Sequence, residues 1–231
     1  MSVLAHTRHD GHWRLGVVPA SAGARRRACA EPLRARDVEL LCWLAEQYGA
    51  RVDQLRALFG CHPRTVERTL ARLRAAGLIE LRRLLVGEPA WVNPTSRGLR
   101  ATGQGFGVWR PRLGVLAHVA AVNDVRLHIA RRSPQSEWVC ERVLAREREA
   151  GEHLPDALVI SEGRCVAIEV ELTVKSRQRV RAILDELSQR HDAILYFCAP
   201  GTHRQLSHLA GSGQWPALGV RELPDLYTGT Q

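Results

Sequence analysis

Residues 154–181 read Leu154-Pro-Asp-Ala-Leu-Val-Ile-Ser-Glu-Gly-Arg-Cys-Val-Ala-Ile-Glu-Val-Glu-Leu-Thr-Val-Lys-Ser-Arg-Gln-Arg-Val-Arg181. Pro155-Asp156 enters one apolar run, Val166 to Leu172 forms a second, and Lys175 opens a basic helical pattern. Acidic residues are disfavoured in strands and costly when buried unpaired. Two carboxylates inside an apolar strand therefore need a reason. Period-two geometry puts Glu169 and Glu171 on one face and Ile168, Val170 and Leu172 on the other. With Asp156 at the start of the neighbouring strand, three carboxylates could converge at one end of a sheet, an oxygen set suited to Mg²⁺ or Mn²⁺. The alternative is the wet face of an ordinary antiparallel strand.

Composition bears on that choice. The 231 residues suffice for one large or two small domains, and 45% hydrophobic with 25% charged residues is ordinary for a globular chain. The apolar runs are short of a membrane span and the first thirty residues lack a signal-peptide centre, so an intracellular protein without membrane association is expected. The six cysteines form no Cys-x-x-Cys pair and read as reduced. The ten histidines add no zinc pattern to them.

The net charge of +9 is uneven: residues 1–112 hold 19 arginines against 9 acids, while residues 113–231 hold 14 basic residues against 15 acids. The basic half is a candidate polyanion binder. Lys175 is the single lysine among 33 basic residues. A compact ammonium differs from a guanidinium as a point charge with a movable pKa, which suits a site handling a phosphate or an attacking water.

Residues 1–33 lack sustained periodicity and are expected to form a loosely ordered basic arm. Arg25-Arg26-Arg27 there serves either DNA phosphates or solubility. Apolar spacing of three and four predicts a helix from Ala35 to Tyr48 and a short one from Val52 to Phe59. A turn at Gly60-Cys61-His62 leads to a third helix from Pro63 to Ala76. Val66, Leu70 and Leu73 line its inner stripe, leaving Arg64, Thr65, Arg68 and Arg72 outside. This is helix-turn-helix order, in which the last helix enters the major groove of double-stranded DNA. Leu78–Val86 and Ala90–Val92 read as a hairpin, with Arg82 and Arg83 placed to meet phosphates, and residues 93–99 begin another helix. With Ala-Gly-Leu-Ile-Glu and Pro-Thr-Ser-Arg-Gly, residues 34–103 resemble the winged helix-turn-helix domains of bacterial regulators. Some such domains bind proteins instead of DNA.

The glycine-dense segment 104–114 reads as a linker, with Trp109 available to pin it to one domain. Residues 115–231 then read as a helix (115–131), strands at 138–145, 157–160 and 165–172, a helix (176–190), a strand (193–198), a short helix (201–209) and a last strand (217–222). The expected fold is a two-domain α/β (α+β) chain whose second domain has a mixed sheet flanked by helices.

Pro155-Asp156 followed by Glu169-Val170-Glu171 resembles the PD-(D/E)XK nuclease-like superfamily, with its restriction-endonuclease-like sheet. Glu171 stands where that superfamily usually has lysine, and Lys175 is the candidate to restore the charge from the following helix. The resemblance implies Asp156, Glu169 and Glu171 as metal-holding and catalytic residues, with Lys175 stabilising charge in phosphodiester hydrolysis. Asp124 would be an auxiliary ligand or a structural acid. Together with His118-Val-Ala-Ala-Val-Asn-Asp-Val-Arg126, the pattern resembles actinobacterial replication-relaxation proteins. That implies a cytoplasmic, nucleoid-associated protein of plasmid or mobile-element DNA, with no small-molecule cofactor. It would be an Mg²⁺- or Mn²⁺-dependent endonuclease, or a regulator using the nuclease-like fold for dimerisation or docking. A two-fold DNA site would call for a homodimer, and no heptad seam is present to make one.

Overall fold

The structure is a computed structural model that describes residues 2–9, 12–19, 32–149 and 151–224. The chain divides into two compact units, Met1–Pro111 and Arg112–Gln231.

The first unit opens with an antiparallel hairpin, β1 (Ser2–His9) and β2 (His12–Pro19), paired from Ser2↔Pro19 to His9↔His12. This corrects the expectation of an arm without regular structure. The signal lay in the sequence: Asp10-Gly11 is a strong two-residue hairpin sequence, flanked by strand-favouring Thr7, Trp13, Val17 and Val18. Arg25, Arg26 and Arg27 lie outside the described residues.

Next come α1 (Ala35–Glu46), β3 (Ala50–Arg51), α2 (Val52–Phe59), α3 (Pro63–Ala75), β4 (Ile79–Arg82), β5 (Trp91–Pro94) and α4 (Ser96–Thr102). Helix starts are fixed by local donors and acceptors. The Asp37 carboxylate accepts from the Arg34 N–H at 3.0 Å, and Gln54 Oε1 from the Arg51 N–H at 3.1 Å. His62 Nδ1 accepts from the Arg64 N–H at 3.3 Å, with Pro63 in the first turn of α3. Leu41, Leu44, Leu55, Val66, Leu70, Leu73, Ile79 and Val92 are buried in the core.

The three strands form a small sheet in the order β3-β5-β4, antiparallel throughout. The two-residue β3 is too short to leave a period in the sequence. The expected strands also shorten, because pairing stops at Arg82↔Trp91 and residues 83–90 form a loop. Past the sheet, the Trp109 ring packs on Tyr48 at 5.3 Å between centroids, which holds the glycine-dense segment to this unit.

At Gly98, α4 comes close to the backbone just before β4: a Cβ there would lie 2.1 Å from the Leu78 carbonyl oxygen. Gly98→Ala is therefore expected to push α4 off its seat and cost about 1–3 kcal/mol. Faster amide exchange across α4 would report it.

The second unit contains α5 (Leu113–Arg132), β6 (Glu137–Cys140), α6 (Glu141–Leu144), β7 (Ala157–Ser161), β8 (Arg164–Glu171), α7 (Arg177–Arg190), β9 (Ala193–Cys198), α8 (Pro200–Ala210) and β10 (Leu218–Glu222). Its sheet runs β10-β9-β8-β7-β6 and is mixed: β6, β7 and β8 pair antiparallel, and β8, β9 and β10 pair parallel. Each parallel connection passes through a helix, as parallel pairing requires.

One expected strand, 138–145, is half helix. The β6–β7 ladder ends at Cys140↔Ala157, and Glu141-Arg142-Val143-Leu144, rich in helix formers, closes a turn instead. Ala157, Val159, Ile168, Val170 and Phe197 pack with Ala121, Val122 and Val125 of α5 on one face of the sheet. Among the described residues α5 is the one helix long and apolar enough to cross a membrane, with a mean hydropathy of 1.2, and its buried side belongs to this core.

Candidate functional site

Two regions collect the residues singled out in the sequence, one in each unit. On α3, Arg64 and Arg68 are exposed, Thr65 is half-buried, and neither arginine makes an ion pair among the described residues. With Glu67 and Ala71 they line an open depression of about 500 Å³. Glu67 is turned toward α2 by Arg56, at 2.7 Å.

Arg72 departs from its expected place on the free outer face, because its guanidinium is paired with Asp37, a carboxylate only 2% exposed. Burial pulls the Asp37 carboxyl upward, and the Arg72 guanidinium and Arg34 N–H overcome that pull and hold it below the usual carboxylate value. Arg72 thus fastens α3 to α1. Arg82 and Arg83 are both exposed beside the loop, Arg82 paired with Glu80.

In the second unit the register explains the acidic strand. Ile168 and Val170 face α5, so Glu169 and Glu171 face the other way, with Glu169 beside Tyr196 and Glu171 beside Cys198 of β9. Asp156 sits one residue before the first β7–β8 pair, Ala157↔Ile168. One of its oxygens accepts from the Val170 N–H at 2.7 Å and the other lies 2.8 Å from His118 Nε2. Glu169 Oε1 lies 2.9 Å from His153 Nε2. Glu171 Oε2 lies 2.6 Å from Lys175 Nζ. The single lysine therefore reaches the acidic strand, while Glu169 and Glu171 are 4% and 6% exposed.

The electrostatics follow from burial. Desolvation pushes the Glu169 carboxyl up to about 7, Asp156 adds to that, and His153 and Lys175 oppose it. Desolvation pulls the His118 imidazole down, and Asp156 more than reverses this, leaving it raised. Burial first, then Glu169, Glu171 and Asp156, push the Tyr196 phenol well above its usual range. Both Glu169 and His118 thus hold protons more tightly folded than unfolded. The stability they contribute is fully present below their unfolded values, 4.5 and 6.5, and is lost as pH rises through the folded values. Glu169→Gln, which keeps the neutral shape, is expected to flatten the decline between pH 4.5 and about 7 by on the order of 2 kcal/mol. Urea unfolding at a series of pH values measures it.

Three carboxylates are the oxygen donors that Mg²⁺ or Mn²⁺ prefers. As the side chains stand, they do not fit a ready-made ion cage: two carboxylates are bonded by imidazoles and the third by an ammonium. Among the described residues no three His, Cys, Asp or Glu side chains are arranged to hold a metal ion. Asp124 has interactions of its own.

The sequence marked His118 only as the start of the His118–Arg126 segment, with no role, and did not single out His153. They come from 38 and 16 residues away from their carboxylate partners, and no local period marks them. The described cysteines, Cys42, Cys61, Cys140, Cys165 and Cys198, are free thiols. Comparison with family models, with curated proteins and with solved structures finds no match.

Proposed function

We propose that the chain is a double-stranded-DNA-binding protein of a plasmid or mobile element, in which the first unit acts as a winged helix-turn-helix. The second unit is nuclease-like and serves as a dimerisation or docking module. The observation that carries the DNA-binding reading is α3. After a three-residue turn it presents Arg64 and Arg68 to solvent free of acidic partners among the described residues, while Val66, Leu70 and Leu73 anchor its other side. Exposed guanidiniums at the start of such a helix suit phosphate contact and bidentate recognition of guanine. Arg83 and, after release of a weak surface pair, Arg82 would add phosphate contacts. Arg72 is left out of this set because it holds Asp37.

The non-catalytic role of the second unit is supported by its carboxylates, which are satisfied by His118, His153 and Lys175. A second reading, Mg²⁺- or Mn²⁺-dependent cleavage of the bound DNA, is favoured by one observation: Lys175 meets Glu171 at 2.6 Å, supplying the charge missing from the usual lysine position. Asp156, Glu169 and Glu171 would be the holding residues only after giving up their bonds to His118, His153 and Lys175. A bound ion would supply polarisation of the phosphate and a more acidic water. On this reading Lys175 stabilises the developing negative charge, and Lys175→Ala lowers the cleavage rate about 10²-fold.

Incubating supercoiled plasmid with the full chain and either ion separates the two. Nicked or linear product from wild type and none from Asp156→Ala or Glu171→Ala establishes cleavage. Intact plasmid under every condition leaves the binding role alone.

A further inference from the structure

The loop between β4 and β5 carries an apolar pair at its tip. Leu85 is 44% and Val86 105% exposed, and Gly87 turns the chain at φ +80°. Turn tips built only for solvent favour Gly, Asn, Asp, Ser and Pro; two aliphatic side chains there are unusual. The stem below is firm, paired from Ile79↔Pro94 to Arg82↔Trp91 with Ile79, Trp91 and Val92 buried. Arg82 and Arg83, both exposed, stand between the stem and the tip. The Arg82–Glu80 pair joins two exposed side chains and is easily surrendered to a phosphate.

Arginines beside a protruding aliphatic pair match the chemistry of a DNA wedge. The cations take the phosphates or the groove floor, and the apolar group enters a base step and kinks the duplex. A protein partner is the poorer fit, because protein-binding patches span roughly several hundred Å² of continuous apolar surface, and the apolar surface at this tip is limited to exposed Leu85 and Val86 with half-buried Leu84 before them and exposed Glu88 after Gly87. We infer that Leu85 and Val86 form a wedge that unstacks a base step and bends the bound duplex. This inference rests on the DNA-binding reading of the first unit.

The test uses the full chain, EDTA to exclude cleavage, and a duplex of about 20 bp carrying a donor and an acceptor dye at its ends. Such a duplex is far shorter than the persistence length and behaves as a stiff rod. At saturating protein, the wild type is expected to raise end-to-end energy transfer as a kink of about 20–90° would. The Leu85→Ser, Val86→Ser double variant, changed only at exposed side chains, is expected to saturate the duplex and leave transfer at the protein-free value. Transfer that does not rise with bound wild type overturns the wedge, as does a rise that persists in the double variant. So does unchanged bending accompanied by altered self-association in sedimentation, which would assign the tip to a protein contact. A wild type that fails to bind the duplex overturns the DNA-binding reading itself.

Discussion

Arg72→Ala is expected to destabilise the first unit by about 2–3 kcal/mol, several times the effect of removing the neighbouring Arg68. Both arginines lie on α3 and look equivalent in sequence. They differ in what lies opposite. Arg72 faces Asp37, 2% exposed, whose second task is to accept the Arg34 N–H at the start of α1. Removing the guanidinium leaves a buried carboxylate with one backbone donor, whereas removing the exposed Arg68 leaves nothing uncompensated.

The pH dependence distinguishes this account from simple loss of packing. The folded value of Asp37 is depressed, so its contribution is present above the unfolded value near 3.8 and is lost as pH falls through the folded value. The gap between wild type and Arg72→Ala is accordingly expected to be full at neutral pH and to close in acid. Hydrogen exchange of peptides covering α1 and α3 measures it within the first unit. A gap unchanged in acid would assign the loss to the aliphatic stem of Arg72 instead.

The same pair shows where the sequence could be read and where it could not. Helical periodicity delivered α2 at Val52–Phe59, and a bounded apolar run delivered β9 at Ala193–Cys198. Alternation along Glu169-Val170-Glu171 correctly separated an apolar face from an acidic one. These are signals within one element. Arg72 was assigned outward because the helix wheel permits it, yet Asp37 lies 35 residues away and only the tertiary fold of the first unit brings them together.

The roles of His118 and His153 were missed for a similar reason. Each approaches the acidic strand from another part of the fold, and their pairing decides whether the carboxylates are free to take an ion. Lys175 was legible because it follows Glu171 by four residues and is the chain's one lysine. The hairpin at Ser2–Pro19 was legible too, in Asp10-Gly11, but the arginine- and glycine-rich residues after it masked that signal.

The central claim is that α3 presents a DNA-binding face through Arg64 and Arg68. Each cation withdrawn from a phosphate is expected to remove about 0.9 from the slope of log affinity against log salt. Arg64→Ala with Arg68→Ala should therefore flatten that slope by about 2 and weaken binding about 10²-fold at moderate salt. Stability should stay within about 0.5 kcal/mol of wild type, since both side chains are exposed. The measurement is fluorescence anisotropy of a labelled duplex titrated with full-length wild type and double variant across a salt series. A flatter slope with weaker binding is the predicted result. Wild-type affinity and slope in the double variant would contradict the account.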